Sequence, residues 1–197
     1  KKNAADGSVT LDPISYKLGD AGKDFTYTVE EVKGEEAGVS YDSSKYTVVA
    51  HVTDNGDGSL SVTTEVTKAA KENEEAQPAN AIVFNNKYEA TGKLDLTAEK
   101  ELTGKALVAG AYSFTLSNKE NEVLQTKTND KDGKVTFDTI NYTLGDIGTH
   151  TYQVSEVKGS ENGVTYDETI YTVEVTVSDN GDGTLKVEKQ ITAAAKA

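Results

Sequence analysis

The stretch YTVEEVKGEEAGVSYDSSKYTVVAHVTDNGDGSL, Tyr27–Leu60, decides the fold, because it recurs as YQVSEVKGSENGVTYDETIYTVEVTVSDNGDGTL over Tyr152–Leu185. The copies lie about 125 residues apart with roughly half their positions identical, and a period that long marks a tandem array of whole domains, not a solenoid of small repeats. The likeness extends upstream to Gly7 and Gly133. Within each copy the period is two. Tyr46, Val48, Ala50 and Val52 alternate with Thr47, Val49, His51 and Thr53, and Tyr171, Val173, Val175 and Val177 repeat the pattern. Further strands are expected from Leu60 to Val66 and from Leu185 to Ile191. Between the paired strands stands DNGDG, at Asp54–Gly58 and Asp179–Gly183. Asn-Gly between alternating strands predicts a hairpin, because both residues tolerate positive φ.

Working outward, strands recur at about ten-residue spacing with turn residues between them, the pattern of a β-sandwich. Strands are expected at Ile82–Tyr88, Lys93–Leu102 and Tyr112–Leu116, and Val135–Phe137 copies Val9–Leu11. Helical signals are weak. Lys68–Asn80 reads as a loop or one short helix, because Pro78 and a polar run oppose anything longer. An interdomain joint is expected at Glu89–Gly92. The fold class is all-β: tandem Ig-like sandwiches, each incomplete, with the back two-thirds of one repeat in residues 1–90 and the front four-fifths of the next in 91–197. Nothing in the first copy resembles residues 93–126, and nothing after the second resembles 80–88.

The 197 residues carry a net charge of −13, with 36% hydrophobic and 27% charged residues. An acidic chain without a basic stripe is a poor partner for nucleic acid or an anionic membrane. No apolar run approaches the roughly 20 residues of a membrane helix. There is no cysteine, which excludes disulfides and thiolate-ligated metal. The missing initiator methionine and signal peptide suggest a segment of a longer protein.

Strand parity places three polar residues on apolar stripes. Tyr27, Val29 and Glu31 share a face, as do Tyr152, Val154 and Glu156. Leu94, Leu96, Ala98, Lys100 and Leu102 share another. Ile82, Phe84, Asn86 and Tyr88 share a third. Burying unpaired charge costs several kcal/mol, which proximity of the three would relieve. Apolar surroundings favour neutral forms of both amine and carboxyl, and a neutral lysine is a nucleophile. In contact, the amine of Lys100 can attack an asparagine carboxamide, with the glutamic acid shuttling protons, and leave a Lys–Asn isopeptide bond. Plainer readings stand beside this one. The glutamates can end strands facing water, an inward lysine can guard a sheet edge, and an inward asparagine can be a satisfied core amide.

On these residues the chain resembles the pilin isopeptide-linkage domain of Gram-positive surface proteins, the Spy0128/FctA-type major pilin family of Ig-like folds. The matching motifs are EKELTG (Glu99–Gly104), YSFTL (Tyr112–Leu116), GKVTF (Gly133–Phe137), YQVSE (Tyr152–Glu156), GVTYD (Gly163–Asp167) and FNNKY (Phe84–Tyr88). The resemblance implies Lys100 as nucleophile, Glu156 and Glu31 as catalytic acids, and Asn86, not Asn85, as acceptor. It also implies an extracellular, cell-wall location, head-to-tail neighbours of the same kind as partners, and a structural shaft or stalk. That role involves single-turnover bond formation and no cofactor. An adhesin repeat that binds a host protein or glycan is the alternative. No repeat carries a complete triad here. No standard intradomain cross-link is therefore expected in the isolated chain, and a bond in trans would require another molecule's Ile82–Tyr88 beside Lys93–Leu102. No metal is expected: DNGDG has glycines where a calcium loop needs oxygen ligands, so it reads as a turn. His51 and His150 fall at non-equivalent positions, on sites expected to face outward or into loops.

Overall fold

A computed structural model describes residues 1–69 and 75–194. Of Lys68–Asn80, expected as a loop or one short helix, residues 70–74 lie outside the described residues; of the rest, Lys68 ends a strand and Gln77–Pro78 form another. In chain order the strands begin with β1 Asp24–Glu30, β2 Val39–Ser40, β3 Lys45–Asp54, β4 Leu60–Lys68 and β5 Gln77–Pro78. Next come β6 Lys87–Tyr88, β7 Thr91–Leu94, β8 Thr97–Glu99, β9 Ser113–Asn118 and β10 Val123–Thr128. The last are β11 Lys134–Thr136, β12 Ile140–Thr143, β13 Gly148–Glu156, β14 Ile170–Asp179 and β15 Leu185–Ala194. Among the described residues helix is confined to two single 3-10 turns, Leu18–Asp20 and Leu144–Asp146, so the all-β expectation holds. The chain divides into two compact units, residues 1–34 with 41–86 and residues 35–40 with 87–197.

The first unit is built on a four-stranded antiparallel sheet in the order β1-β3-β4-β5. Its register sets Phe25 opposite Ala50, Tyr27 opposite Val48 and Val29 opposite Tyr46. Tyr46, Ala50 and Val52 are buried, as alternation requires. Residues 8–17, the counterparts of β11 and β12, form no strand. Val9, which copies Val135, is 52% exposed.

The second unit is a sandwich. A five-stranded antiparallel sheet, β10-β9-β13-β14-β15, packs against the two-stranded pairs β11-β8 and β12-β7. One continuous core joins Leu94, Leu96, Phe114, Val135, Tyr142, Val154, Val173 and Val175. Here Val135 is fully buried, at 0% exposure. β8 supplies the difference, pairing with β11 through Ala98 opposite Val135. The short pair β2–β6 belongs to this unit as well, with Val39 opposite Tyr88.

Several expectations need correcting. Lys93–Leu102 is not one strand. It breaks after Leu94 and resumes at Thr97, because β7 pairs with β12 and β8 with β11 in separate ladders. Parity survives the break: Leu94, Leu96 and Lys100 are buried, while Thr97, Glu99 and Glu101 face water. Ile82–Tyr88 forms a strand only at Lys87–Tyr88, since 82–86 has no main-chain ladder to join. Glu89–Gly92 is not a free joint, because Ala90 is buried and Thr91 opens β7. DNGDG does make a hairpin, with Asp54 opposite Leu60, but positive φ falls on Gly56 and Gly58 and not on the asparagine. The Asp54 and Asp57 carboxylates accept from the main-chain N–H groups of Gly56 and Ser59 and so close a wider loop. His150 is half-buried, not outward. It occupies the register of Phe25, and its ring packs 5.2 Å from that of Tyr142, as Phe25 packs 5.1 Å from Tyr16.

Candidate functional site

In the second unit, Lys100 follows β8 and Glu156 ends β13. Lys100 Nζ lies 2.8 Å from Glu156 Oε1 and donates to Oε2 at 2.9 Å. Their side chains are only 8% and 2% exposed. Local structure fixes both. The Lys100 N–H donates to Gly133 O at 2.8 Å. Gly133 has φ +89, and an added Cβ there would run into the Lys100 carbonyl, so glycine is what permits this approach. The ammonium sits 4.6 Å from the centroid of the Tyr112 ring, whose quadrupole favours a cation. Tyr112 is itself held by Asn129, whose Oδ1 accepts from the Tyr112 N–H at 2.9 Å and whose Nδ2 donates to Val108 O and Asp130 O. Glu156 Oε2 also accepts from the Asp167 main-chain N–H at 2.9 Å, while Oε1 makes no directed hydrogen bond.

Beside this pair runs a groove of about 510 Å³, lined by Leu96, Ala98, Phe114, Glu156, Tyr171 and Ile191 among others. Tyr171 lies open on it, 41% exposed.

The first unit holds the other part of the set. Glu31 lies one residue beyond β1. Its Oε1 accepts from Asn86 Nδ2 at 2.8 Å, and its Oε2 is buried without a hydrogen-bond partner. Asn86 Oδ1 accepts from the Asp42 main-chain N–H at 2.9 Å. The Asp42 carboxylate accepts from the Asn85 N–H at 2.8 Å and from the Ser44 N–H at 2.8 Å. The Ser44 side chain, followed by these main-chain donors, holds the Asp42 carboxyl down to about 2. Tyr46, the counterpart of Tyr171, donates through its hydroxyl to Val83 O at 2.8 Å, and its ring meets Phe84 edge-on at 5.4 Å. The segment 82–86 thus covers Tyr46, which is 3% exposed.

Each unit therefore brings two of three chemical parts together: amine with carboxyl in the second, carboxamide with carboxyl in the first. Lys100 and Asn86 belong to different units. The sequence matches the family described as FctA, the Spy0128-like isopeptide containing domain, over residues 1–89 and 96–197. The chain belongs to this family. No curated protein matches it.

Parity missed four contributors. Tyr112 and Asn129 form the floor beneath the lysine, and an aromatic on a core strand carries no mark distinguishing a cation platform from packing. The main-chain N–H of Asp42 and Asp167 is invisible to any reading of side chains. The repeated GVSYD and GVTYD, Gly38–Asp42 and Gly163–Asp167, were the signal available for it. Among the described residues no cluster of His, Asp or Glu could hold a metal ion, and no helix is long and apolar enough to cross a membrane.

Proposed function

We propose that this chain is a shaft or stalk segment of a cell-surface fibre in a Gram-positive bacterium, a pilus or fibrous adhesin, whose Ig-like repeats are hardened by Lys–Asn isopeptide bonds. The reading rests on one observation above the others: a buried lysine in contact with a buried glutamate beside an open groove, in a chain whose homologous unit seats an asparagine on the equivalent glutamate. Lys100 is the nucleophile, Glu156 and Glu31 are the proton carriers, and Asn86 is the acceptor. Proton transfer from Nζ to the carboxylate across the 2.8 Å contact leaves a neutral amine facing the groove. The glutamic acid then gives the proton to the departing nitrogen. The event occurs once per site and is not turnover. The partners are neighbouring repeats or subunits of the same kind, head to tail, with the missing residue of each site supplied by a segment like 82–88 or like 93–102.

The test appends a copy of residues 72–92 to the full chain after Ala197 and compares intact masses with and without Glu156→Ala. The expected result is loss of one ammonia in the parent and none in the variant. An unchanged parent mass in a folded protein would mean that Lys100 and Glu156 form a structural ion pair only.

A further inference from the structure

The two units show the same site in two states, one with an acceptor seated and one without, and a single donor differs between them. In the first unit the Asp42 main-chain N–H donates to Asn86 Oδ1 at 2.9 Å. In the second, the equivalent N–H of Asp167 donates to Glu156 Oε2 at 2.9 Å. With the acceptor in place, the carboxamide is held at both ends by different groups. Glu31 takes Nδ2, the nitrogen that would leave, and Asp42 takes Oδ1, the oxygen that would gain charge. We propose that the main-chain N–H of Asp42, and of Asp167 in the second unit, is the oxyanion donor for bond formation, and that it rests on the glutamate until an acceptor arrives.

The proposal depends on the isopeptide reading above. In the bond-forming step the lysine nitrogen lone pair attacks Cγ of the asparagine, and the C=O π pair moves onto Oδ1. The N–H of the aspartate meets that charge at a distance typical of such donors, about 2.7–3.1 Å. Collapse restores C=O and breaks Cγ–Nδ2. The lysine ammonium gives up two protons through the glutamate: one leaves on the departing nitrogen as ammonia, and the other stays on the glutamate until it passes to solvent. One amine and one primary amide become one secondary amide and one ammonia, with no oxidant, reductant or water consumed. Because the N–H is a main-chain dipole already aimed at the acceptor oxygen, it stabilises the developing charge without reorganising.

The same residue also selects which asparagine reacts. The Asp42 carboxylate pins the Asn85 main-chain N–H while the Asp42 N–H takes the Asn86 side chain. Adjacent asparagines thereby receive different roles, one held by its main chain and one offered to Glu31.

Two experiments decide the matter. The first uses the isotopically labelled full chain and reads through-hydrogen-bond couplings. The Asp42 nitrogen should couple to Asn86 Cγ and the Asp167 nitrogen to Glu156 Cδ. In Asn86→Ala, the Asp42 coupling should move to Glu31 Cδ. Absence of the Asn86 coupling, or an Asp42 N–H that stays off Glu31 in the variant, overturns the proposal. The second uses the full chain carrying the appended copy of 72–92, with the peptide N–H of residue 167 replaced by an ester oxygen through semisynthesis. Ammonia loss should slow by about 10²–10³-fold, the usual effect of deleting one such donor. An ester chain reacting at the parent's rate overturns the donor role while leaving the isopeptide reading intact. A folded parent that loses no ammonia overturns the isopeptide reading itself, and the bond-forming role with it.

Discussion

Val9 and Val135 copy one another in sequence, as do Tyr46 and Tyr171, yet each pair is half covered and half open, in opposite senses. The first unit covers Tyr46 with residues 82–86 and leaves Val9 in water. The second covers Val135 with β8 and leaves Tyr171 on a groove. Burial in this protein therefore follows from which neighbouring segment is present rather than from the residue itself. Two segments do the covering. One carries the lysine, and the other carries the asparagine. In each unit one buried glutamate oxygen has no hydrogen-bond partner among the described residues: Oε2 of Glu31 and Oε1 of Glu156.

The sharpest way to break this comparison is to remove each glutamate. Glu156→Ala strands a buried ammonium and should cost the second unit about 3–5 kcal/mol. Glu31→Ala removes a hydrogen bond to a neutral amide and should cost the first unit about 1 kcal/mol. Urea unfolding, followed through amide signals of each unit, measures both, and equal costs would show that the two sites are not in different states. The next test sets Val135→Ala beside Val9→Ala. The former empties part of a closed core and should cost about 2 kcal/mol. The latter removes methyls from an open surface and should stay within about 0.5 kcal/mol. A large loss at Val9 would mean that the face is covered in solution.

The smallest effect concerns pH. The Asp42 carboxyl is held down to about 2 by the Ser44 side chain and the main-chain N–H groups of Asn85 and Ser44. A depressed folded-state value contributes stability that is fully present above the unfolded value, about 3.9, and is lost as pH falls toward the folded one. The Asn85 amide should therefore lose protection between about pH 4 and pH 2. Asp42→Asn should loosen it at every pH. Hydrogen exchange at Asn85 across this pH range measures the change, and a profile that stays flat would remove Asp42 from holding the segment 82–86.

Alternation alone was enough to place Lys100 and Glu156, because both sit on stretches whose side chains keep period two even where the ladder breaks at Asp95–Leu96. It also predicted the sheets of the two long copies, since their hairpin partners are local in sequence. It failed where pairing depends on a distant segment. Residues 82–86 and 8–17 carry strand-like patterns without forming strands, because a ladder needs two partners and a pattern describes only one. Parity put Asn86 on a core-facing stripe with Ile82 and Phe84, but Asn86 and Ile82 are exposed, and Asn86 is held by the main chain of Asp42 and the carboxylate of Glu31 and not by a sheet. The Gly133 approach and the Tyr112 platform lay beyond reach for a similar reason: both are consequences of tertiary proximity, which residue identity does not encode.

The segment 82–86 is held from two stretches of chain, at Glu31 and at Asp42 with Tyr46 four residues on, by hydrogen bonds and a ring contact. Each of these contacts is reversible, so the segment is retained by their number and not by any one of them. A misplaced segment would find the glutamate without the aspartate, or the tyrosine without either, and would dissociate. The segment is seated correctly only where all of these reversible contacts are met together.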